Sequence, residues 1–280
     1  MAKKRSARRR KKPNKYAQVM AWVFEKRYRS DHTSLPFTRD DLVAAHKALK
    51  LDLTKNLGDL VYSFRFRAEF PEAITRTAPA HAEWVILGTG PATYEFRLAA
   101  PGKIAPSADR ERIPVLDATP EIVKQYAPGT DEQALLTRAR YNRLVDLFLG
   151  LTCYSIQNHL RTSLTDMGQI EIDEIYLGVN RRGAHFAIPC QAKSPGDRFG
   201  IVQVIQDMDF CKVRYPDAMC RPVALQFQDV HDVAVLELNV TEEDELLRLN
   251  IVDEKHYRLC SASEFPHGHA RLLRDREAGS

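Results

Sequence analysis

The sequence predicts a mixed α/β protein with two folded domains, and three observations lead there. The chain has 280 residues, 44% hydrophobic and 28% charged, enough for one sizeable core and a smaller module. Helical apolar spacing runs through residues 16–67, and two β-rich arms around Gly-Thr-Gly-Pro follow it. From residue 168 onward, strand, tight turn, strand and amphipathic helix succeed one another, with more strands beyond. The larger domain is therefore α/β (α+β) with a mixed sheet.

Composition narrows the function. No stretch approaches the roughly 18–20 uninterrupted apolar residues of a helical membrane span, and the N-terminus opens on cations instead of an apolar segment. No membrane partner is expected, and the expected location is cytoplasmic and nucleoid-associated. Cysteines 153, 190, 211, 220 and 260 are odd in number and form no Cys-x-x-Cys pair, which argues against a disulfide framework or zinc cluster. The net charge of +4 hides an asymmetry: nine of the 41 basic residues, Arg9 and Arg10 among them, fall in the first 15 positions without one acid. Such a run repels itself and buries nothing, so residues 1–15 read as a disordered tail whose use is attraction to a polyanion, nucleic acid first. A solubilising or targeting tail is the alternative.

In residues 16–100, a first helix spans 16–28. Thr38 and Asp41 make a carboxylate variant of the capping box for a second, with Leu42, Ala45 and Leu49 on one face. Thr54 is placed to cap a third, in which Leu57, Leu60, Val61 and Phe64 recur at helical spacing while Lys55, Asn56, Ser63 and Arg67 fall off the stripe. Tyr94, Phe96 and Leu98 then alternate with Thr93, Glu95 and Arg97 in a hairpin. Three helices followed by a hairpin resemble a winged-helix domain, which implies double-stranded DNA as partner and Lys55, Asn56, Ser63 and Arg67 as residues that meet it. Winged helices also serve as protein-interaction modules.

Residues 101–129 carry five prolines and little periodicity, and read as a linker. The second domain is expected over 130–265. Thr130-Asp-Glu-Gln133 matches a capping box and opens a helical stretch to about residue 164, broken near Gly150, with Cys153, Ile156, Gln157, Leu160 and Leu164 on one stripe of its second half. Asp146 lies on the largely apolar stripe of the first half: a supplementary acid or a buried, hydrogen-bonded carboxylate.

The most informative stretch is 168–211. A strand over about 169–179, a turn at Asn180-Arg-Arg-Gly183, a strand over 184–193 and a helix carrying Ile201, Val204, Ile205, Met208 and Cys211 follow in order. In the second strand Phe186, Ile188, Cys190 and Ala192 form an apolar face, while His185, Gln191 and Lys193 point the other way. In the first, the pattern changes sense near Asp173. That suggests a bulge or entry into a two-sided core, where a carboxylate costs stability unless something such as a metal ion compensates it.

These residues resemble the PD-(D/E)xK nuclease superfamily, a restriction-endonuclease-like group. Its members carry an acid on one strand of a hairpin and an acid-x-Lys triplet on the next; Asp173 matches the first position and Gln191-Ala-Lys193 the triplet. The resemblance covers about residues 130–240 and implies Mg²⁺-dependent, sequence-specific hydrolysis of DNA phosphodiester bonds by a restriction-type endonuclease. It implies Asp173, Gln191 and Lys193 as catalytic residues with Asp146 as a supplement, and Asp173, the Gln191 carbonyl and Glu171 as metal ligands. A homodimer or transient dimer on DNA and a companion methyltransferase are implied partners. Two departures stand out: Gln191 brings no charge where the family has Asp or Glu, and Pro189 falls inside a central strand, where a bulge or an edge position would be needed.

Two rival functions remain open on sequence alone, a DNA-binding regulator with an inactive nuclease-like domain and an RNA-processing nuclease. Asn158-His159 with His185 lacks the second His-Asn pairing of a histidine nuclease. Gly88-Thr-Gly90 precedes a strand, so it is no phosphate-cradling loop. Beyond residue 220, PVALQF, DVAVLELNV and HYRLC read as strands, and residues 266–280, with His267 and His269, as a loose tail.

Overall fold

The computed structural model describes residues 14–126, 129, 131–164 and 168–266, which fall into two compact units. Residues 1–13, including Arg9 and Arg10, and 267–280, including His267 and His269, lie outside the described residues. Among the described residues no helix is long and apolar enough to cross a membrane, and all five cysteines are free.

The first unit runs to Pro101 and includes Glu242–Leu247. Its order is α1 (Lys15–Arg27), β1 (Ser34–Thr38), α2 (Arg39–Ala48), α3 (Leu57–Phe66), α4 (Glu72–Thr75), β2 (Glu83–Gly90) and β3 (Thr93–Ala99). The Asn14 carboxamide caps α1 by accepting the Ala17 N–H at 2.7 Å. Asp41 takes the Thr38 N–H at 2.8 Å, the reach-back bond expected at the start of α2. Central β3 pairs antiparallel with β1 and with β2. The apolar stripes of α1, α2 and α3 meet the inner face of these strands, where Phe24 packs edge-on against Trp84 and Phe96 at centroid distances of 5.2 and 5.0 Å.

Three expectations change here. The α3 cap is Asn56, whose Oδ1 accepts the Asp59 N–H at 3.2 Å; Thr54 instead hydrogen-bonds the buried His46 ring at 2.9 Å. A strand, β1, stands between the first two helices. The hairpin turns at Pro91-Ala92, with Ala92 at φ 56°, while Gly88 and Gly90 bracket a register shift inside β2.

The second unit contains β4 (Arg112–Leu116), α5 (Glu121–Tyr126), α6 (Glu132–Tyr141), α7 (Leu144–Leu149), β5 (Thr152–Leu164), β6 (Gly168–Val179), β7 (His185–Lys193), α8 (Ile201–Arg214), β8 (Met219–Cys220), β9 (Val223–Phe227) and most of β10 (Asp232–Glu243) and β11 (Leu246–Cys260). Its strands lie in the order β11-β10-β9-β7-β6-β5. β6 and β7 are antiparallel, β7 and β9 parallel, β9 and β10 antiparallel. The helices α6 and α7 pack with Val223, Leu225 and Phe227, whereas Val204 of α8 packs with Ala224. Neighbouring strand residues point to opposite faces, so the sheet is covered on both sides.

Two segments differ from the sequence expectation. Residues 101–129 are not a plain linker: β4 joins the sheet parallel to β11, from His256↔Arg112 to Cys260↔Leu116. Residues 152–164, expected as helix, form β5. Gly150, at φ 64°, ends α7, and pairing with β6 overrides a stripe that fits helical and extended readings alike. Pro189 needs no bulge. β7 is paired by β8 at Phe186 and Ala187 and by β9 from Cys190 onward, so the proline stands between the two ladders.

Candidate functional site

The site is built where β6 and β7 meet α8. Asp173 stands on β6 just beyond the paired couple Glu174↔Cys190, and its Oδ2 accepts the Ala192 N–H at 2.9 Å. From Glu174 to Tyr176 the strand is buried on both faces, so the change of pattern read at Asp173 marks entry into a two-sided core. Lys193 closes β7, half-buried, within electrostatic reach of Asp173.

Gln191 is buried and held at both ends of its amide. Its Oε1 accepts from Gln203 Nε2 at 2.7 Å, and its Nε2 donates to Asp207 Oδ2 at 2.8 Å. The carbonyl expected to ligate a metal therefore already has a hydrogen-bond partner. Asp207 is 1% exposed, and its second oxygen, Oδ1, has no hydrogen-bond partner. From the other side of the sheet, Glu132 in the first turn of α6 comes within electrostatic reach of both Asp173 and Lys193.

All three acids are displaced in the same direction. Burial raises the Asp173 carboxyl, opposed by the Ala192 N–H and the Lys193 charge. Burial also raises Glu132, with Asp173 adding to the shift and Lys193 resisting it. Asp207 is driven well above the ordinary carboxylate value by burial, again with Asp173 adding and with Gln191 and Lys193 resisting. Among the described residues no three His, Cys, Asp or Glu side chains form a ready-made ligand group. Mg²⁺ is held by one or two carboxylates together with water and substrate oxygens, so Asp173, with the unpartnered buried oxygen of Asp207 within electrostatic reach, fits that ion.

The other expected site residues go elsewhere. Glu171 is a surface partner of Arg161 at 2.7 Å. Asp146 is bound by the Cys153 N–H at 2.9 Å and by Arg143, which makes it a brace between α7 and β5 and not a member of the cluster. On α3, the Asn56 Oδ1 serves the helix cap, Lys55 is exposed just before it, and Ser63 gives its carbonyl to the Arg67 and Ala68 N–H groups. The exposed Arg67 lays its guanidinium 4.8 Å from the Tyr62 ring, itself 4.8 Å from Phe66.

The sequence pattern does not place Glu132 and Asp207 in this centre, whereas Gln203, expected on the helix near the site as an exposed residue that could touch phosphate, instead donates to Gln191. Glu132 sits inside a capping motif, and the cap itself is Asp131, whose Oδ1 takes the Ala134 N–H at 2.9 Å. Asp207 does leave a signal: it is an acid on the apolar stripe between Val204 and Cys211. No family model, curated protein or solved structure matches this chain.

Proposed function

We propose that the second unit is a Mg²⁺-dependent endodeoxyribonuclease with a restriction-endonuclease-like core, and that the first unit is its winged-helix DNA-binding module. The observation that carries this reading is the juxtaposition of Asp173 and Lys193 on paired strands at the end of β7, with two further acids within electrostatic reach. The order α6, α7, β5, β6, β7, α8, β8, β9, with β5, β6, β7 and β9 adjacent in the sheet and β7 and β9 parallel, supports the nuclease core. The order α1, β1, α2, α3, α4, β2, β3, with β1 and β2 flanking β3, supports the winged helix.

Asp173 is the carboxylate that would hold the ion, with Glu132 within electrostatic reach of it. Bound there, Mg²⁺ supplies a polarised phosphate and an acidified water. Lys193 neutralises charge that builds on the phosphoryl oxygens and orients the attacking water. Gln191, gripped by Gln203 and Asp207, fixes the strand end from which Lys193 projects. Cutting both strands of a duplex calls for two such centres, hence a dimer formed at least transiently on DNA; a companion methyltransferase belongs to a restriction role.

A second reading, a DNA-binding regulator whose nuclease-like domain is inactive, draws on one observation: the Gln191 carbonyl is engaged by Gln203 and brings no charge. Incubating the protein with plasmid and Mg²⁺ separates the readings. Discrete fragments support the nuclease, tight binding without cleavage supports the regulator, and degradation of RNA alone would reassign the substrate.

A further inference from the structure

We infer that the negative charge missing at position 191 is supplied from α8 by Asp207, which acts as a ligand of the divalent cation beside Asp173. The inference rests on the nuclease reading above and assigns Gln191 a holding role instead of a ligating one.

Four features carry it. Asp207 is 1% exposed, yet it lies on a helix stripe whose neighbours Val204 and Cys211 are apolar, where a hydrophobic side chain would pack at lower cost. One of its oxygens accepts from Gln191, and the other, equally buried, has no partner. Buried polar atoms are ordinarily satisfied, so an orphaned carboxylate oxygen in an interior calls for an explanation, and an ion bound there supplies one. The charged groups facing it are Asp173 on β6 and Lys193 on β7, the two residues on which the proposed centre stands. Gln191 lies between, its carbonyl turned to Gln203 and its amide nitrogen to Asp207. An amide oriented this way presents the carboxylate, and an acid at 191 would oppose it. The ligand class follows from the donors: a hard divalent cation, Mg²⁺ or Mn²⁺, bound through oxygen.

The test uses the full chain and four variants, Asp207→Asn, Gln191→Glu, the double variant of both, and Asp173→Asn. Titration calorimetry with Mn²⁺ alone, thermal unfolding without metal, and plasmid cleavage are the readouts. Asp207→Asn removes the charge at nearly constant shape. It is expected to unfold at or above the wild-type temperature, to bind Mn²⁺ on the order of tenfold or more weakly, and to lose cleavage. The double variant moves the charge one place along the same hydrogen bond and is expected to recover Mn²⁺ binding. Wild-type Mn²⁺ affinity in Asp207→Asn overturns the inference. So does a fall in its unfolding temperature that the double variant does not repair, because Asp207 would then be structural. If Asp173→Asn also binds Mn²⁺ and cuts like the wild type, the nuclease reading itself fails, whereas loss in Asp173→Asn with a fully active Asp207→Asn removes only Asp207.

Discussion

Gln191 and Asp207 are joined by a 2.8 Å hydrogen bond from the amide nitrogen to a carboxylate that is 1% exposed. This bond changes what an acid at position 191 would do. Introducing an acid by Gln191→Glu alone sets two carboxyl groups against each other in an interior, where one must stay protonated or the pair must separate. The expected outcome is a protein less stable by about 1–3 kcal/mol at neutral pH, the cost of a buried polar group left without its partner, checked by urea unfolding.

Asp173→Ala and Lys193→Ala are each expected to abolish plasmid cleavage while leaving metal-free affinity for duplex DNA within a few-fold. The proposed DNA-binding surface lies in the first unit, and neither side chain belongs to it. Cleavage at the wild-type rate by both variants would remove this centre from the chemistry. Gel-shift titration without metal beside a timed digest gives both numbers.

Deleting residues 1–13, which stops short of the Asn14 cap of α1, takes away eight cations. Binding to all duplex sequences is expected to weaken alike, and the slope of log affinity against log salt to flatten by about 0.9 for each phosphate that the tail no longer neutralises. Fluorescence anisotropy across a salt series measures it, and an unchanged slope leaves the tail a solubilising or targeting segment.

Asp232 predicts an acid limb of stability. Its carboxylate accepts from Arg258 at 2.7 and 2.8 Å, with Arg112 at 3.4 Å, and the Arg258 bonds hold its pKa below the ordinary 3.8. A carboxyl whose pKa is lower when folded stabilises the fold above its unfolded value. That contribution is lost as pH falls through the folded pKa. The unfolding temperature is therefore expected to be insensitive to this group above about pH 5 and to drop below about pH 4. Asp232→Asn should start lower and fall less on acidification, as a pH series of thermal melts would show.

Gly178 is closely hemmed in by side chains. A Cβ there would stand 2.9 Å from Ile188 Cδ1 and 3.1 Å from Leu151 Cδ1, both buried. Gly178→Val is expected to cost about 1–3 kcal/mol by overpacking, read from the denaturation midpoint. A neutral result would mean that Ile188 and Leu151 give way more easily than a close-packed core allows.

The sequence by itself determined the parts that depend on local periodicity. The hairpin of β6 and β7, its Asn180–Gly183 turn, the amphipathic α8 and the strand run beyond residue 220 were all legible, because alternation, turn residues and helical spacing act within a few residues. Asp173, Gln191 and Lys193 stand out by the same local pattern. Tertiary structure decided what depends on partners far along the chain. Residues 152–164 became a strand because β6 offered a ladder, and residues 112–116 left the expected linker because β11 offered an edge. Asp146 and Glu171 were claimed by Arg143 and Arg161, while Asp207, 34 residues beyond Asp173 in the chain, came to lie beside the same centre. Periodicity tells which face a side chain takes; which charges share that face is settled only when helices and strands pack, since burial and Coulomb interaction follow distance in space and not separation in sequence.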